Sequence, residues 1–181
     1  MDKWTYIHGD NKFVDELDLK IRLRLIVTND HWIVIRKYLR CLRRQEIYQK
    51  KRGMFNKLLA LYWGRKKNNL GIKLGFHIPA FTLGFGANIY HHGAIVINGD
   101  ARIGNNCSLH GMNCIGNNGS DASAPIIGDN VDIGVGASVI GGVRIANDVK
   151  IGAGAVVITD CEKRGTVLVG VPAKSTQQRK E

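Results

Sequence analysis

From Ile97 to Val157 an aliphatic residue recurs at every sixth position: Ile97, Ile103, Leu109, Ile115, Ile127, Ile133, Val139, Ile145, Ile151 and Val157. The one gap is Asp121, inside a run rich in Gly, Ser and Ala. Gly follows the aliphatic residue at Gly104, Gly116, Gly128, Gly134 and Gly152. Four places after the aliphatic residue stands something small or β-branched: Ala101, Cys107, Val131, Ala137, Val143, Val149 and Ala155. A strand repeats every two residues and a helix about every 3.6, so a beat of six is neither alone.

Such a beat implies a solenoid of short parallel strands, a hexapeptide-repeat β-helix. Three hexapeptides close one triangular coil. The aliphatic residue points inward and stacks on its counterpart in the next coil. The residue after it is expected near a corner, where Gly tolerates positive φ. One coil cannot bury its own inner face, so coils must stack. The expected fold class is mainly β: a parallel β-helix over residues 71–174, a basic helical segment over 1–70 and a polar tail over 175–181. Two irregularities stand out. Two extra residues separate Ile89 from Ile97, and His91 and His92 lie there. Residues 117–125 interrupt the beat but keep its phase, as a loop leaving the solenoid or one irregular turn.

Charge is confined to one end. Residues 1–75 carry 18 basic and 7 acidic side chains, which accounts for the whole net charge of +11. A basic arm suits nucleic acid, an anionic membrane or a polyanionic substrate, or is a solvated helix face. No helix-turn-helix, RNA-binding signature or zinc finger accompanies it, so nucleic acid is not expected. Within the arm, Val14, Leu17, Ile21 and Leu25 share one helical face, and Asn29-Asp30 reads as a stop and N-cap. A second helix from His31 carries Ile35, Tyr38, Leu39 and Leu42 and breaks at Gly53. A third short helix over 58–63 is expected to end at the polar run 65–69, while Met1 to Phe13 shows no defined element. These helices are expected to cap the open end of the solenoid. The four cysteines form no CxxC pair, which argues against zinc or a disulfide framework. No apolar leader or membrane-length run is present, so a cytoplasmic protein without a metal is expected.

Repeats of the form Ile-Gly-x-x-Ala/Val-x, then Ile151-Gly152-Ala153-Gly154-Ala155-Val156-Val157 and Gly170-Val171-Pro172-Ala173-Lys174, resemble the left-handed β-helix acyltransferases. That family includes serine, galactoside, maltose and polysaccharide O-acetyltransferases. The resemblance implies left-handedness, acetyl-CoA as co-substrate, no metal, and a homotrimer with acetyl-CoA between two subunits. Tyr90-His91-His92-Gly93-Ala94-Ile95-Val96-Ile97 is similar to the serine acetyltransferase stretch Asp-His-Ala-Thr-Gly-Ile-Val-Ile. It is still more similar to the His-Tyr-Gly-x-Ile-Val-Val/Ile-Asn stretch of polysaccharide-acetylating enzymes.

This register puts His91 on the family's general base, with His92 and His110 as alternatives. An imidazole suits that work because its unperturbed pKa, about 6.5, lies near neutrality. Tyr90, His92 and His110 are expected toward the acceptor, and His77 is expected in a plain turn, with the acceptor side as the alternative. By resemblance to galactoside acetyltransferases, Val135, Gly136 and Ala153 line the pantetheine, with Ile158 and Thr159 next along the groove. Lys174 meets the nucleotide phosphate, and Gln177 stands where a second basic residue is usual. Asp129 and Asp132 read as solvated turn residues. Against serine acetyltransferases, Tyr90 replaces the Asp beside the base, the upstream catalytic Asp falls at Phe76, and Ser123-Ala124-Pro125 lacks the Arg and His of the acceptor loop. A sugar hydroxyl of a surface glycan or its precursor is therefore the expected acceptor. Serine is the alternative, and a non-catalytic scaffold the further one. The basic helices would then reach an anionic membrane or glycan assembly.

Overall fold

The computed structural model describes residues 1–176; Gln177 and the rest of the tail lie outside them. Four helices come first: α1 (Lys3–His8), α2 (Leu19–Val27), α3 (His31–Gln49) and α4 (Met54–Leu74). Asp2, Asp18 and Asp30 cap α1, α2 and α3 by accepting from backbone N–H groups of the first turn, satisfying donors no helix can satisfy itself. Fourteen short strands follow: β1 (Phe76–His77), β2 (Asn88–Ile89), β3 (Ile95–Ile97), β4 (Arg102–Ile103), β5 (Ser108–Leu109), β6 (Cys114–Gly116), β7 (Ile126–Ile127), β8 (Asp132–Ile133), β9 (Ser138–Ile140), β10 (Arg144–Ile145), β11 (Lys150–Ile151), β12 (Val156–Val157), β13 (Val167–Val169) and β14 (Lys174–Thr176).

They form three sheets: β1-β3-β6-β9-β12, β4-β7-β10, and β2-β5-β8-β11-β13 with β14 added antiparallel at its end. All other pairings are parallel. From β3 to β12 the chain visits the sheets in fixed rotation. Every aliphatic residue of the beat is buried, and together they form one continuous core. The interruption at 117–125 is an excursion: Ile115 and Ile127 lie in consecutive strands, and Asp121 is exposed.

The glycines after the aliphatic residues have a different cause from the one expected. Their φ is not positive. The left-handed position falls three residues after the aliphatic one, at Asn106, Met112, Asn130, Gly136, Asp148 and Gly154. Gly104 is small because a Cβ there would overlap the Gly128 carbonyl in the neighbouring strand layer, and Gly134 meets Ala153 N at 2.6 Å in the same way.

The helical segment also differs from expectation. Residues 3–8 form α1, and Val14 is buried in a 3-10 turn rather than on a long helix. None of the residues of α2 is buried. α4 runs through the polar stretch 65–69 and stops at Gly75, whose φ is +79°. Lys67 explains the continuation: its ammonium is buried and donates to Ile78 O at 2.9 Å, tying the helix to the first strands. Arg43 makes the second tie, donating to Leu83 O at 2.7 Å and to Gly84 O at 2.5 Å.

Candidate functional site

One corner gathers the chemistry. Wherever the chain leaves the sheet of β2, β5, β8 and β11 and turns into the sheet of β3, it passes through residues 90–94, 110–113, 134–137 and 152–155. These turns stack directly. Gly136 N donates to Gly111 O and Gly154 N to Val135 O, both at 2.9 Å. Asn113, buried at the bend, accepts from Gly111 N and donates to Gly134 O. A Cβ on Gly111 would sit 3.3 Å from His91 Cβ, so the His91 turn lies against the His110 turn. Val135, Gly136 and Ala153 thus share a corner with Tyr90, His91, His92 and His110. Ile158 and Thr159 do not: they follow β12, at the far edge of the β3 sheet. Lys174 lies exposed on β14, opposite Val169. His77 is exposed in β1, beside Val96.

The helical segment closes on this corner. Trp32 donates its indole N–H to Tyr90 O at 2.8 Å. Phe13 stacks on the Tyr90 ring, with Trp32 edge-on to Phe13. His31, the first residue of α3, stacks on His91 with centroids 5.9 Å apart, and lies 5.4 Å from His92. Its Nδ1 is 3.2 Å from the Asp30 carboxylate, and its buried Nε2 has no hydrogen-bond partner. Tyr90 faces His110 on its other side, centroids 4.7 Å apart. His110 Nε2 lies 2.7 Å from Asp132 Oδ1. Asp132 is therefore not a solvated turn residue but the strand-borne partner of an imidazole in this corner. Among the described residues His91 and His92 are exposed and have no carboxylate within ion-pair distance.

Spacing alone does not show His31, Trp32, Phe13 or Asp30 to be part of the corner. Asp132 was within reach of the beat, since Ser108 pairs with it across 24 residues.

The arrangement offers imidazoles on an exposed ridge, one held by a carboxylate, beside the stacked backbone of the turns 134–137 and 152–155. That suits proton removal from a hydroxyl next to an extended thiol-bearing arm. No protein-family model matches the chain. Over 135 residues it is 32% identical to a serine acetyltransferase of Staphylococcus xylosus, covering 74% of this chain and 59% of that one. Over 99 residues it is 35% identical to a serine acetyltransferase of Buchnera aphidicola, covering 53% of this chain and 38% of that one. The crystal structure of Neisseria gonorrhoeae serine acetyltransferase superposes with a TM-score of 0.70 at 26% identity, covering 99% of this chain and 68% of that one.

The chain resembles the serine acetyltransferases. It spans well under two thirds of the length of these curated relatives. At the positions where the sequence departs from the serine acetyltransferase pattern, Phe76 is buried in β1 and Tyr90 is locked between Phe13 and His110. Ser123 to Pro125 end the excursion, with Pro125 O accepting from Arg102 N.

Proposed function

We propose that the chain is an acetyl-CoA-dependent O-acetyltransferase built on a left-handed parallel β-helix. The stacking of His91, His92 and His110 at one corner with Val135, Gly136 and Ala153 supports this reading most, together with the likeness to serine acetyltransferases. His91 is the base. It takes the hydroxyl proton as the acceptor oxygen attacks the thioester carbonyl carbon. The tetrahedral oxyanion then collapses, the C–S bond breaks, and the imidazolium returns its proton to the departing thiolate. Val135, Gly136 and Ala153 line the pantetheine arm, with Ile158, Thr159 and Lys174 further along the cofactor, and two subunits of a trimer complete the groove. Tyr90, His92 and His110 face the acceptor.

The comparisons favour serine as acceptor over the surface-glycan sugar expected from the sequence, and give no support to contact with an anionic membrane. Among the described residues no helix is long and apolar enough to cross a membrane. One observation keeps a sugar hydroxyl as the second reading. Phe76 and Ser123 to Pro125 put no ionic group where serine acetyltransferases hold an amino acid. A thiol-release assay with L-serine and with sugars in parallel separates the two; turnover of sugars alone would overturn serine. His91→Ala should slow release at least about a hundredfold. An unchanged rate removes His91 as base, and no release with any acceptor would point to a scaffold.

A further inference from the structure

A cluster of cations lies in the helical segment, apart from the residues of the histidine corner. Lys37, Arg40 and Arg44 fall at i, i+3 and i+7 of α3, so they share one face. Trp63 and Lys66 of α4 face them across a cavity of about 480 Å³, a size that holds a small ligand. No carboxylate lines this cavity. Among the described residues, none of these four cations has an acidic partner within ion-pair distance, unlike Arg36 with Asp15 and Arg43 with Asp10. Trp63 holds two of them in place: the Arg44 guanidinium lies 4.5 Å from its ring centroid and the Lys66 ammonium 5.3 Å. Burial, then Arg36, holds the Arg40 guanidinium below its ordinary pKa. Burial, then Arg40 and Arg44, does the same to the imidazole of His8. Asp15 offsets part of this at Arg40, yet no carboxylate lines the cavity, so the cluster keeps excess positive charge, part of it out of water.

We infer that the cavity between α3 and α4 binds a phosphate-bearing anion of two or more negative charges, gripped by Arg40 and Arg44 and flanked by Lys37 and Lys66. Guanidinium groups pair phosphate oxygens two at a time, and paired ammonium groups add point charge. A multivalent anion offsets several of these like charges in a single binding event. The phosphate belongs either to a soluble small molecule or to a lipid headgroup.

Titration calorimetry of the full chain with inorganic pyrophosphate, and flotation with vesicles containing phosphatidylinositol 4-phosphate against phosphatidylcholine vesicles, test this. Pyrophosphate binding that weakens at least tenfold in Arg40→Gln/Arg44→Gln, without vesicle flotation, assigns a soluble phosphate. Flotation with the phosphatidylinositol 4-phosphate vesicles alone, lost in the same variant, assigns a headgroup. Lys51→Gln/Lys57→Gln, outside this cavity, should bind as the parent chain does. A thermal melt shows that each variant is folded; should the Arg variant melt early, Lys37→Gln/Lys66→Gln takes its place, with at least a threefold loss expected. Absence of both binding modes in the parent chain overturns the site. So does equal loss in the control variant, or salt-sensitive self-association that disappears with Arg40→Gln/Arg44→Gln, which would give the cluster to a second copy.

Discussion

His31 stands sixty residues before His91 in the chain and stacks on it in the fold. An exposed imidazole on a surface turn has rotational freedom that a base must lose before it can take a proton in line. The flat face of His31, held by α3 and its Asp30 cap, removes that freedom. His31→Ala should therefore lower kcat by about tenfold to a hundredfold, the usual cost of misplacing a reacting group, with the KM for acetyl-CoA unchanged. His31→Phe keeps the stacking face and should recover most of the rate. Steady-state kinetics on the three proteins check this, and an unaffected His31→Ala would show that the stack is incidental. His8 titrates in the same segment. Burial, then Arg40 and Arg44, holds its pKa below the ordinary value, so the folded chain takes this proton less readily than the unfolded chain. Stability from His8 is complete above its unfolded pKa near 6.5 and declines as pH falls through that value. The fall in Tm between about pH 7 and pH 5 should be shallower in His8→Gln, as read by thermal melts across that range.

At the scale of elements, the attachment of α3 to the first strands depends on a buried ion cluster. All the guanidinium nitrogens of Arg43 are engaged: Asp10 is held by two bonds of 2.7 and 3.1 Å, Glu46 by one of 3.1 Å, and Leu83 O and Gly84 O by the rest. The carboxylates are tied onward, Asp10 to Ala87 N, and Glu46 to Phe81 N and the Tyr6 hydroxyl. Arg43→Ala leaves two buried carboxylates without their cation, which costs about 3–5 kcal/mol. Urea denaturation followed by circular dichroism should show that loss, and a change within about 0.5 kcal/mol would mean the cluster is relaxed by water.

The same element shows what was legible in advance. The six-residue beat states the strand core outright, because each aliphatic position is repeated by the next and errors cannot accumulate. The helical segment has no such redundancy. Arg43 reads in sequence as one more charge on a basic face, since its two carboxylates lie 33 residues before it and one turn after. The α2 pattern misled for a related reason: its apolar residues look like a core face, yet none is buried. In the corner, His91 and His110 are legible from motif and beat. His31, Trp32 and Phe13 are not, because helix docking and not local pattern places them.

For the whole molecule, the corner has an apolar side that one chain leaves uncovered. Met112 and Val135, 62% and 46% exposed, stand on the adjoining turns 110–113 and 134–137, and Val171, 72% exposed, stands beyond the next turn, 152–155. Exposed apolar side chains gathered along one edge of a rigid surface mark a place where something docks. A second subunit laid along this edge would shelter these side chains and enclose the groove beside Gly136 and Ala153. A pantetheine arm would then run between two chains, with the thioester brought up to His91. For the trimer proposed above, sedimentation equilibrium should give three times the mass of the chain. Val135→Glu puts a charge among these apolar side chains and should shift the mass toward the monomer. Acetyl-CoA binding, measured by calorimetry on the same sample, should fall with it at least tenfold, because half of the groove leaves with the partner. A monomer that binds acetyl-CoA as tightly as the parent would place the whole cofactor site on one chain and leave the ridge without a role in it.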